Sequence, residues 1–424
     1  GDWGLQMGLI ITELKARQPD LIYFRDDAPE NLQEYPSEAP FTISELEEIY
    51  PFAAAKAKEN DAYKSEAMEA THLLQQGKPG YRALWNKIME ISVADLKKNY
   101  SRLDVSFDLW KSESDAQPYI PEMVEYLKKE GYAHYDDGAL VVDVSELQDK
   151  KKIPPCMILK SDGASLYTTR DIAAAIYRKE TYDFHKCLYV VAYHQNLHFQ
   201  QFFKVIELMG YSWADSLEHV AFGMVSMEDG TMSTRKGKVV YLEELLNRAV
   251  AKTLDIINEK SPDLEDKEEV AKKVGIGAVV FNALYNNRIK DYVFSWDRAL
   301  NFDGESGPYV QYTHARCTSV LAKGGGLVKK VNGTMLTDRL AQDVIKLLAA
   351  TPDIIKEAAK KYEPSLLTRH LADIAKAYNK FYYENRILEE DEDIRNSRLA
   401  LTAAVQTVLK TGLGLLGIAA PEKM

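Results

Sequence analysis

The sequence predicts an α/β body followed by an all-helical domain. Short apolar runs at 140–144 and 187–191 have the composition of buried strands, and the alanine-rich segment 169–177 between them is typical of a helix. A strand, a helix and a second strand at this spacing indicate a βαβ unit with a parallel sheet. After about residue 240 helical periodicity replaces the strand pattern, so the two parts differ in class.

Length and composition are those of a globular protein. The 424 residues suit about two or three domains. Hydrophobic residues make up 46% and charged residues 28%, which excludes a disordered or low-complexity chain. No apolar run approaches the roughly 18 residues of a membrane span, so no membrane contact is expected. Three cysteines, far apart, exclude a disulfide framework and a four-cysteine zinc site, and they favour a reducing cytoplasm.

The net charge argues mildly against nucleic acid as a partner. Lysine and arginine number 53 against 64 aspartates and glutamates, a net of −11. The balance is uneven, because residues 231–330 contain 16 Lys and Arg against 13 Asp and Glu, a net of +3. A mildly basic zone on an acidic body can still bind phosphate groups.

The segments before the first strand are mainly helical. Turn residues at 1–4 precede an apolar periodic stretch from Leu9, which predicts a helix. The beginning has neither an initiator methionine nor a charged leader, so we expect the interior of a longer chain, cut at a loop; a processed mature terminus is the alternative. Residues 40–100 predict helices, whereas 105–109 alternates like a strand.

A basic loop at 231–238 precedes a helix that is predicted to begin near Val240. It combines hydroxyls, three cations and a glycine. Phosphate binding needs cations, hydroxyl and amide donors, and a glycine that allows close backbone approach. In nucleotidyl transfer such a loop stabilises the charge that develops on pyrophosphate. Taken alone, however, the segment is better explained as a solvated basic turn.

Polar residues follow the strand at 187–191, at the kind of position where open α/β sheets bind ligands. His194 and His198 are about one helical turn apart and could share a helix face, which suits a metal pair. Gln195 stands where a zinc-protease motif has glutamate, so we expect no protein-bound metal.

Glu113 and Asp171 are candidate partners for a guanidinium group, because carboxylates match its fixed fork of donors. Each has a simpler explanation. Thr168 and Asp171 fit a capping box at a helix start, and Glu113 suits a solvated loop.

The segment 307–316 places tyrosines, a glutamine, a histidine and an arginine at helical spacing. Such residues can stack on bases and hold phosphates. The alternative is the packed start of an amphipathic helix, with tyrosines at the edge of the core.

Taken together, these segments resemble an arginyl-tRNA synthetase, a class I aminoacyl-tRNA synthetase, along essentially the whole chain. Each segment alone is weak or moderate evidence, but their joint order and spacing are highly specific. The segments are 1–8, 106–108 with 113–114, 162–163 with 167–171, 195–199, 222–225, 232–235, 307–312 with 315–316, and 415–418 with 421–424.

The resemblance implies a Rossmann-like class I synthetase catalytic domain followed by an all-α anticodon-binding helical bundle. The catalytic domain would occupy 1–230, with a helical insertion at about 40–100. A KMSKS-type loop and stem-contact helices would occupy 231–300, and the anticodon-binding domain would occupy 301–424. The family's HIGH-type motif and first strand–helix unit have no counterpart in this sequence. We therefore expect an N-terminally truncated enzyme that folds but activates arginine weakly or not at all.

The resemblance also implies candidate site residues. The arginine pocket would comprise Glu113, Tyr167, Asp171 and Gln195. The adenosine of ATP would meet His198 and the backbone near Met224 and Val225. The catalytic loop would comprise Met232, Ser233, Thr234, Arg235, Lys236 and Gly237. Thr231 and Thr234 stand where lysines are usual, which leaves Arg235 and Lys236 as candidates for binding pyrophosphate. Contacts to tRNA would come from Tyr309, Gln311, Tyr312, Arg316 and Met424.

The implied reaction activates L-arginine with ATP and Mg²⁺ to arginyl-adenylate and transfers it to tRNA(Arg), without a protein nucleophile. By resemblance, the first step needs bound tRNA. Two carboxylates arranged for a guanidinium would reject lysine, so no editing domain is required. A cytoplasmic monomer is expected. The alternatives are a non-catalytic tRNA-binding fragment and another class I synthetase, such as the cysteinyl enzyme, whose zinc cluster three scattered cysteines do not supply.

Overall fold

The computed structural model describes residues 2–145, 153–228, 240–326 and 331–424. The chain forms two compact units. The first consists of Gly1–Tyr100, Ser106–Tyr189 and His194–His219, and the second of Ser101–Val105, Val190–Tyr193 and Val220–Met424. The three-part division expected from the sequence, at 1–230, 231–300 and 301–424, stays a prediction.

Four helices open the chain, as the sequence predicts for the stretch after Leu9 and for 40–100. They are α1 (Leu5–Arg17), α2 (Ile43–Glu59), α3 (Asp61–Gln75) and α4 (Pro79–Arg102). Thr42 and Glu45 form a capping box that fixes the start of α2. At Gly8 a Cβ would collide with the backbone of Ala67, so glycine lets α1 and α3 pack closely.

The strand predicted at 105–109 is wrong, because this segment has no regular structure. Phe107 of this segment belongs to an aromatic cluster instead. The Phe107 ring lies 5.5 Å from Tyr100 and 5.6 Å from Trp110, measured between ring centroids. An alternating pattern forms a strand only where a neighbouring strand completes the hydrogen bonds.

The run at 140–144 does form a strand, but in an antiparallel sheet of β1 (Ala133–Asp136), β2 (Ala139–Val142) and β3 (Cys156–Leu159). Asp137 and Gly138 both have positive φ, at 44° and 82°, which is the geometry of a tight hairpin turn. The predicted parallel βαβ unit from 140–144 to 187–191 is therefore wrong, since β2 pairs antiparallel with β1 and β3, whereas the strand that contains 187–191 pairs in a different sheet.

The helix and strand that follow agree with the prediction. The helix is α6 (Tyr167–Tyr182), and the strand is β4 (Cys187–Ala192), which pairs with β5 (Leu217–Phe222). A further helix, α5 (Ile120–Lys129), precedes β1. Between β4 and β5 lies α7 (Asn196–Leu208). A short parallel pair joins β6 (Val225–Met227) to β7 (Tyr292–Phe294), so strand structure continues past residue 240, contrary to the sequence pattern.

The second unit is mostly helical. Its helices are α8 (Leu242–Lys260), α9 (Lys267–Tyr285), α10 (Trp296–Ala299), α11 (Gly307–Lys323), α12 (Arg339–Lys361), α13 (Ser365–Glu384) and α14 (Glu392–Leu415). Side-chain oxygens of Ser306, Asp338 and Asp391 cap α11, α12 and α14. Phe281 and Tyr378 lie fully buried in the core that α9, α11, α13 and α14 share.

The three cysteines are free thiols in different environments. Cys156 in β3 and Cys317 in α11 are buried, and burial raises the pKa of each thiol to about 12. Cys187, at the start of β4, is half-buried. In the described part of the chain no helix is both long and apolar enough to cross a bilayer.

Candidate functional site

A cavity in the first unit brings together the two carboxylates that the sequence singled out. It encloses about 500 Å³, and both Glu113 and Asp171 line it. Asp2, Arg170 and Arg178 also line the cavity, so three carboxylates and two guanidinium groups share its wall. Such a wall can bind a molecule that carries both signs of charge, as an amino acid with a cationic side chain does.

Asp2 fixes the backbone that carries Glu113. Its Oδ1 accepts a hydrogen bond from the Glu113 N–H at 3.0 Å, and its Oδ2 accepts one from the Ser114 hydroxyl at 2.6 Å. The Asp2 carbonyl accepts a bond from Trp85 Nε1 at 2.7 Å, and Asp2 itself is buried. Apart from the presence of Asp2 in a segment of the family pattern, no signal in the sequence points to this role, because its partners lie far along the chain.

The Glu113 carboxylate already has a guanidinium partner within the protein. Its Oε2 lies 3.2 Å from Arg170 Nε, and the Arg170 side chain is only 11% exposed. Glu113 is therefore not the solvated loop residue of the simpler explanation. It begins a 3-10 turn at Glu113–Tyr119, and its carboxylate is oriented by a cation.

Asp171 faces a histidine rather than the helix start. Its Oδ2 lies 2.8 Å from His198 Nε2, so His198 donates from Nε2 and leaves Nδ1 to accept from the Thr168 hydroxyl at 3.4 Å. The capping box proposed for Thr168 and Asp171 is wrong. Because α6 begins at Tyr167, Asp171 lies in its second turn, and Thr169 Oγ1 accepts the Leu166 N–H instead.

Tyr167 and Gln195, the other predicted arginine contacts, are both exposed. The Tyr167 ring packs on His198 with centroids 4.7 Å apart, which ties it to Asp171 through the histidine. Gln195 occupies the position before α7 without a side-chain hydrogen bond to the helix, one turn before His198, and does not line the cavity. The structure thus groups Tyr167, Asp171 and His198, although the sequence assigned the histidine to adenosine.

The residues expected near ATP lie partly in the second unit. Met224 precedes β6 and Val225 begins it. The Met224 N–H donates to Asp291 Oδ1 at 2.6 Å, and its carbonyl accepts the Tyr292 N–H at 3.0 Å. The catalytic loop predicted at Met232, Ser233, Thr234, Arg235, Lys236 and Gly237 lies outside the described residues.

A groove of about 890 Å³ in the second unit contains Arg316 among tyrosines. The guanidinium carbon lies 4.9 Å from the ring centroids of Tyr312, Tyr382 and Tyr383. Arg316 also donates to Asn379 Oδ1 at 2.6 Å and to the Tyr383 hydroxyl at 2.9 Å. Burial opposes the charge, but hydrogen bonds to Tyr312 and Tyr383 outweigh it and raise the pKa of Arg316.

The other predicted tRNA contacts divide into two classes. Met424 and Tyr312 line the groove, whereas Tyr309 is half-buried against the helical core. Gln311 is fully buried, and its Nε2 donates to the Ala419 carbonyl at 2.8 Å and the Lys273 carbonyl at 3.2 Å. The prediction that Gln311 contacts tRNA is therefore wrong, since adjacent helical residues face different sides.

Tyr382 and Tyr383 are groove residues that sequence reasoning missed. They lie near the end of α13, and Tyr383 is 72% exposed. Two adjacent tyrosines before the end of a helix were the available signal, but nothing local connects them to Arg316.

Comparisons with known proteins cover the whole chain. Residues 1–296 match the family described as tRNA synthetases class I (R), catalytic domain, and residues 310–424 match the DALR anticodon binding domain. The arginine–tRNA ligase of Halothermothrix orenii is 48% identical over 425 residues, which cover 100% of this chain and 72% of that protein. The ligase of Alkaliphilus metalliredigens is 46% identical with the same coverage.

Solved structures agree with these sequence matches. Thermus thermophilus arginyl-tRNA synthetase superposes with a TM-score of 0.81 at 26% identity, over 100% of this chain and 74% of that one. The Plasmodium falciparum enzyme shares the fold, with a TM-score of 0.78 at 24% identity, over 100% of this chain and 69% of that one. The predicted order, a class I catalytic domain and then a helical anticodon-binding domain, is confirmed, and the chain belongs to the arginyl-tRNA synthetase family, the arginine–tRNA ligases of class I.

Proposed function

We propose that this chain binds L-arginine at the cavity of Glu113 and Asp171, activates it with ATP and attaches it to tRNA(Arg). The observation that carries the proposal is that two carboxylates distant in sequence line one cavity in a chain of the arginine–tRNA ligase family. A guanidinium presents its donors in a planar fork, which two carboxylates can satisfy together.

The surroundings of the carboxylates support selection of arginine over lysine. Arg170 holds Glu113, and His198 holds Asp171, so neither carboxylate rotates freely. A single ammonium group is a compact charge and cannot reach two fixed carboxylates as a fork does. Lysine would therefore lose one of the two carboxylate contacts that arginine makes, and with it much of the binding free energy.

For ATP, we propose contacts from His198, Met224 and Val225, with Mg²⁺ accompanying the nucleotide as part of the substrate. The Met224 N–H and carbonyl are both engaged by residues 291–292. The exposed Met224 side chain is therefore the part that can pack on the purine ring, in place of the backbone contact expected from the sequence. Residues 232–237 would stabilise the charge on pyrophosphate.

For tRNA, we propose that the groove around Arg316 receives an anticodon nucleotide. Tyr312 and Tyr383 offer exposed aromatic faces on which a base can stack, and Arg316 supplies a positive charge fixed by those rings. Met424 lies in the same groove. The monomeric state and cytoplasmic location inferred from the sequence stay predictions.

Thermal unfolding with arginine, lysine and citrulline tests the arginine site. A ligand that binds only the native state raises the midpoint by mass action. We expect a shift with arginine alone, because citrulline has the same shape without the charge. An equal shift with lysine or citrulline would contradict a site built from two carboxylates.

A tRNA-binding role without catalysis is the second candidate. The observation that favours it is that the Arg316 groove lies wholly within the second unit, which has a core of its own. Binding of tRNA(Arg) together with no response to arginine, and no arginine-dependent exchange of pyrophosphate into ATP when tRNA is present, would select this candidate.

A further inference from the structure

We infer that Glu363, in the turn between α12 and α13, is a positioning residue for the segment 221–225. This inference rests on the proposed function in one respect, because Met224 and Val225 are assigned there to ATP. All of the residues involved belong to the second unit. Glu363 itself is distinct from every residue proposed to contact a substrate.

The first link joins segment 221–225 to the segment 288–292. The Gly223 N–H donates to the Arg288 carbonyl at 2.8 Å, and the Arg288 side chain donates from Nη1 to the Ala221 carbonyl. Asp291 accepts the Met224 N–H at 2.6 Å, as described above. A Cβ at Gly223 would lie 2.7 Å from the Asp291 backbone nitrogen, so the two segments touch with no space for a side chain.

The second link joins Arg288 to the turn after α12. Both carboxylate oxygens of Glu363 lie 3.2 Å from the Arg288 N–H, and Oε2 also accepts from Asn287 Nδ2 at 3.1 Å. Arg288 Nε donates to the Tyr362 carbonyl at 2.7 Å. Tyr362 has a φ of 51°, a left-handed conformation that is costly for a residue with a side chain and persists only where surrounding contacts stabilise it.

Arg288 therefore binds the turn with its backbone N–H and Nε and binds Ala221 with Nη1. The turn lies in the part of the chain that matches the anticodon binding domain, and 221–225 lies in the part that matches the catalytic domain. Charge-assisted hydrogen bonds that N–H groups donate to a carboxylate are stronger than neutral ones. Loss of the Glu363 carboxylate should loosen Arg288 and, through it, the backbone at 221–225.

The test is hydrogen exchange of peptides that span 221–225 in Glu363→Gln. Glutamine has the same shape but turns an NH₂ group towards N–H donors, so about tenfold faster exchange of the Gly223 and Met224 amides is expected. The control is Glu357→Gln, which removes an exposed carboxylate of α12 whose ion-pair partner among the described residues is Lys361, with Nζ at 2.6 Å. Unchanged exchange at 221–225 in Glu363→Gln would overturn the inference.

A second variant covers the case in which Glu363→Gln fails to fold. Arg288→Lys keeps the charge and the backbone N–H but cannot reach the Tyr362 and Ala221 carbonyls at once. It should raise exchange at 221–225 to a similar extent, and the double variant should add little, because both changes break one chain of bonds. Additive effects of the two changes would overturn the proposed order of the links.

The KM for ATP separates this inference from the proposed function. If Met224 and Val225 contact ATP, Glu363→Gln should raise the KM for ATP several-fold while the KM for arginine and the affinity for tRNA stay at the wild-type values. Faster exchange with an unchanged KM for ATP would support the positioning role and contradict the ATP assignment.

Discussion

Arg170 in the first unit and Arg316 in the second have opposite kinds of partner. Arg170 lies against the Glu113 carboxylate, so its charge is balanced within the protein. Arg316 lies among three tyrosine rings and an asparagine, and in the described ranges no carboxylate comes within 4.0 Å of it. The first guanidinium orients a carboxylate for a ligand, whereas the second keeps a net charge that can attract a nucleic acid. The chain thus uses one residue type in two ways, and the partners decide which.

Asp171→Asn tests the carboxylate side of this comparison and should have the largest effect. It removes a charge from the proposed guanidinium site, so kcat/KM for arginine should fall by about 10² to 10³-fold, measured by arginine-dependent pyrophosphate exchange. The matched control is Asp183→Asn at the other end of α6. Asp183 is exposed, pairs with Lys179 and has a φ of 42°, which asparagine tolerates. Wild-type arginine kinetics in Asp171→Asn would place the guanidinium elsewhere.

Arg316→Ala tests the uncompensated charge. The affinity for tRNA(Arg) should fall by about 10- to 100-fold, and the slope of log affinity against log salt should decrease by about one. Arg339→Ala is the control, because Arg339 is 93% exposed at the start of α12. Equal effects of the two substitutions would mean that general charge, rather than the tyrosine groove, binds the RNA.

Two adjacent residues of α11 separate packing from recognition. Gln311→Ala removes the two hydrogen bonds that Nε2 donates to the Ala419 and Lys273 carbonyls and truncates a fully buried side chain, so it should lower the free energy of unfolding by about 1–3 kcal/mol in denaturant titrations. Tyr312→Ala, at a 39% exposed position, should leave stability almost unchanged and weaken tRNA binding. A stable Gln311→Ala with weakened tRNA binding would reverse our assignment.

The smallest expected effect is a pH dependence from His370. Burial lowers its pKa, against smaller opposing contributions from a backbone hydrogen bond to Leu347 and from Asp373. His370 therefore binds a proton more readily in the unfolded chain than in the folded one. Its contribution to the free energy of unfolding is fully present above pH about 6.5 and is lost as the pH falls towards the pKa of the folded state. His370→Gln should flatten the decline in unfolding midpoint between pH 7.5 and 5.5, whereas His72→Gln, at an exposed position, should not.

Local pattern was sufficient for most of the fold. The helices at 40–100 and α6 follow from composition and periodicity, and β2 and β4 follow from short apolar runs. The strand predicted at 105–109 does not form, because an alternating apolar pattern does not show whether a partner strand lies nearby. The predicted parallel sheet does not form because the Asp137–Gly138 turn pairs β2 with β1, and the apolar composition of a strand does not show which strands it pairs with.

Site residues were predictable from the sequence only where the side chain is charged and lies in a segment typical of the family. Glu113, Asp171 and Arg316 are charged residues in recognisable segments, and their assigned roles stay predictions that the structure makes testable. Asp2, Glu363 and Tyr383 act through partners that are remote in sequence. No local pattern identifies such contacts, because they exist only once the chain has folded.

The two buried cysteines offer a way to observe the units one at a time. Cys156 belongs to the first unit and Cys317 to the second. Burial raises the pKa of both thiols, so very little of either is ionised at neutral pH, and alkylating reagents react with the thiolate. Each sulfur therefore reacts mainly when its own surroundings open. The labelling rates at the two positions, resolved by mass spectrometry of one sample, measure the opening of each half of the enzyme, and a bound substrate should slow only the half that holds it.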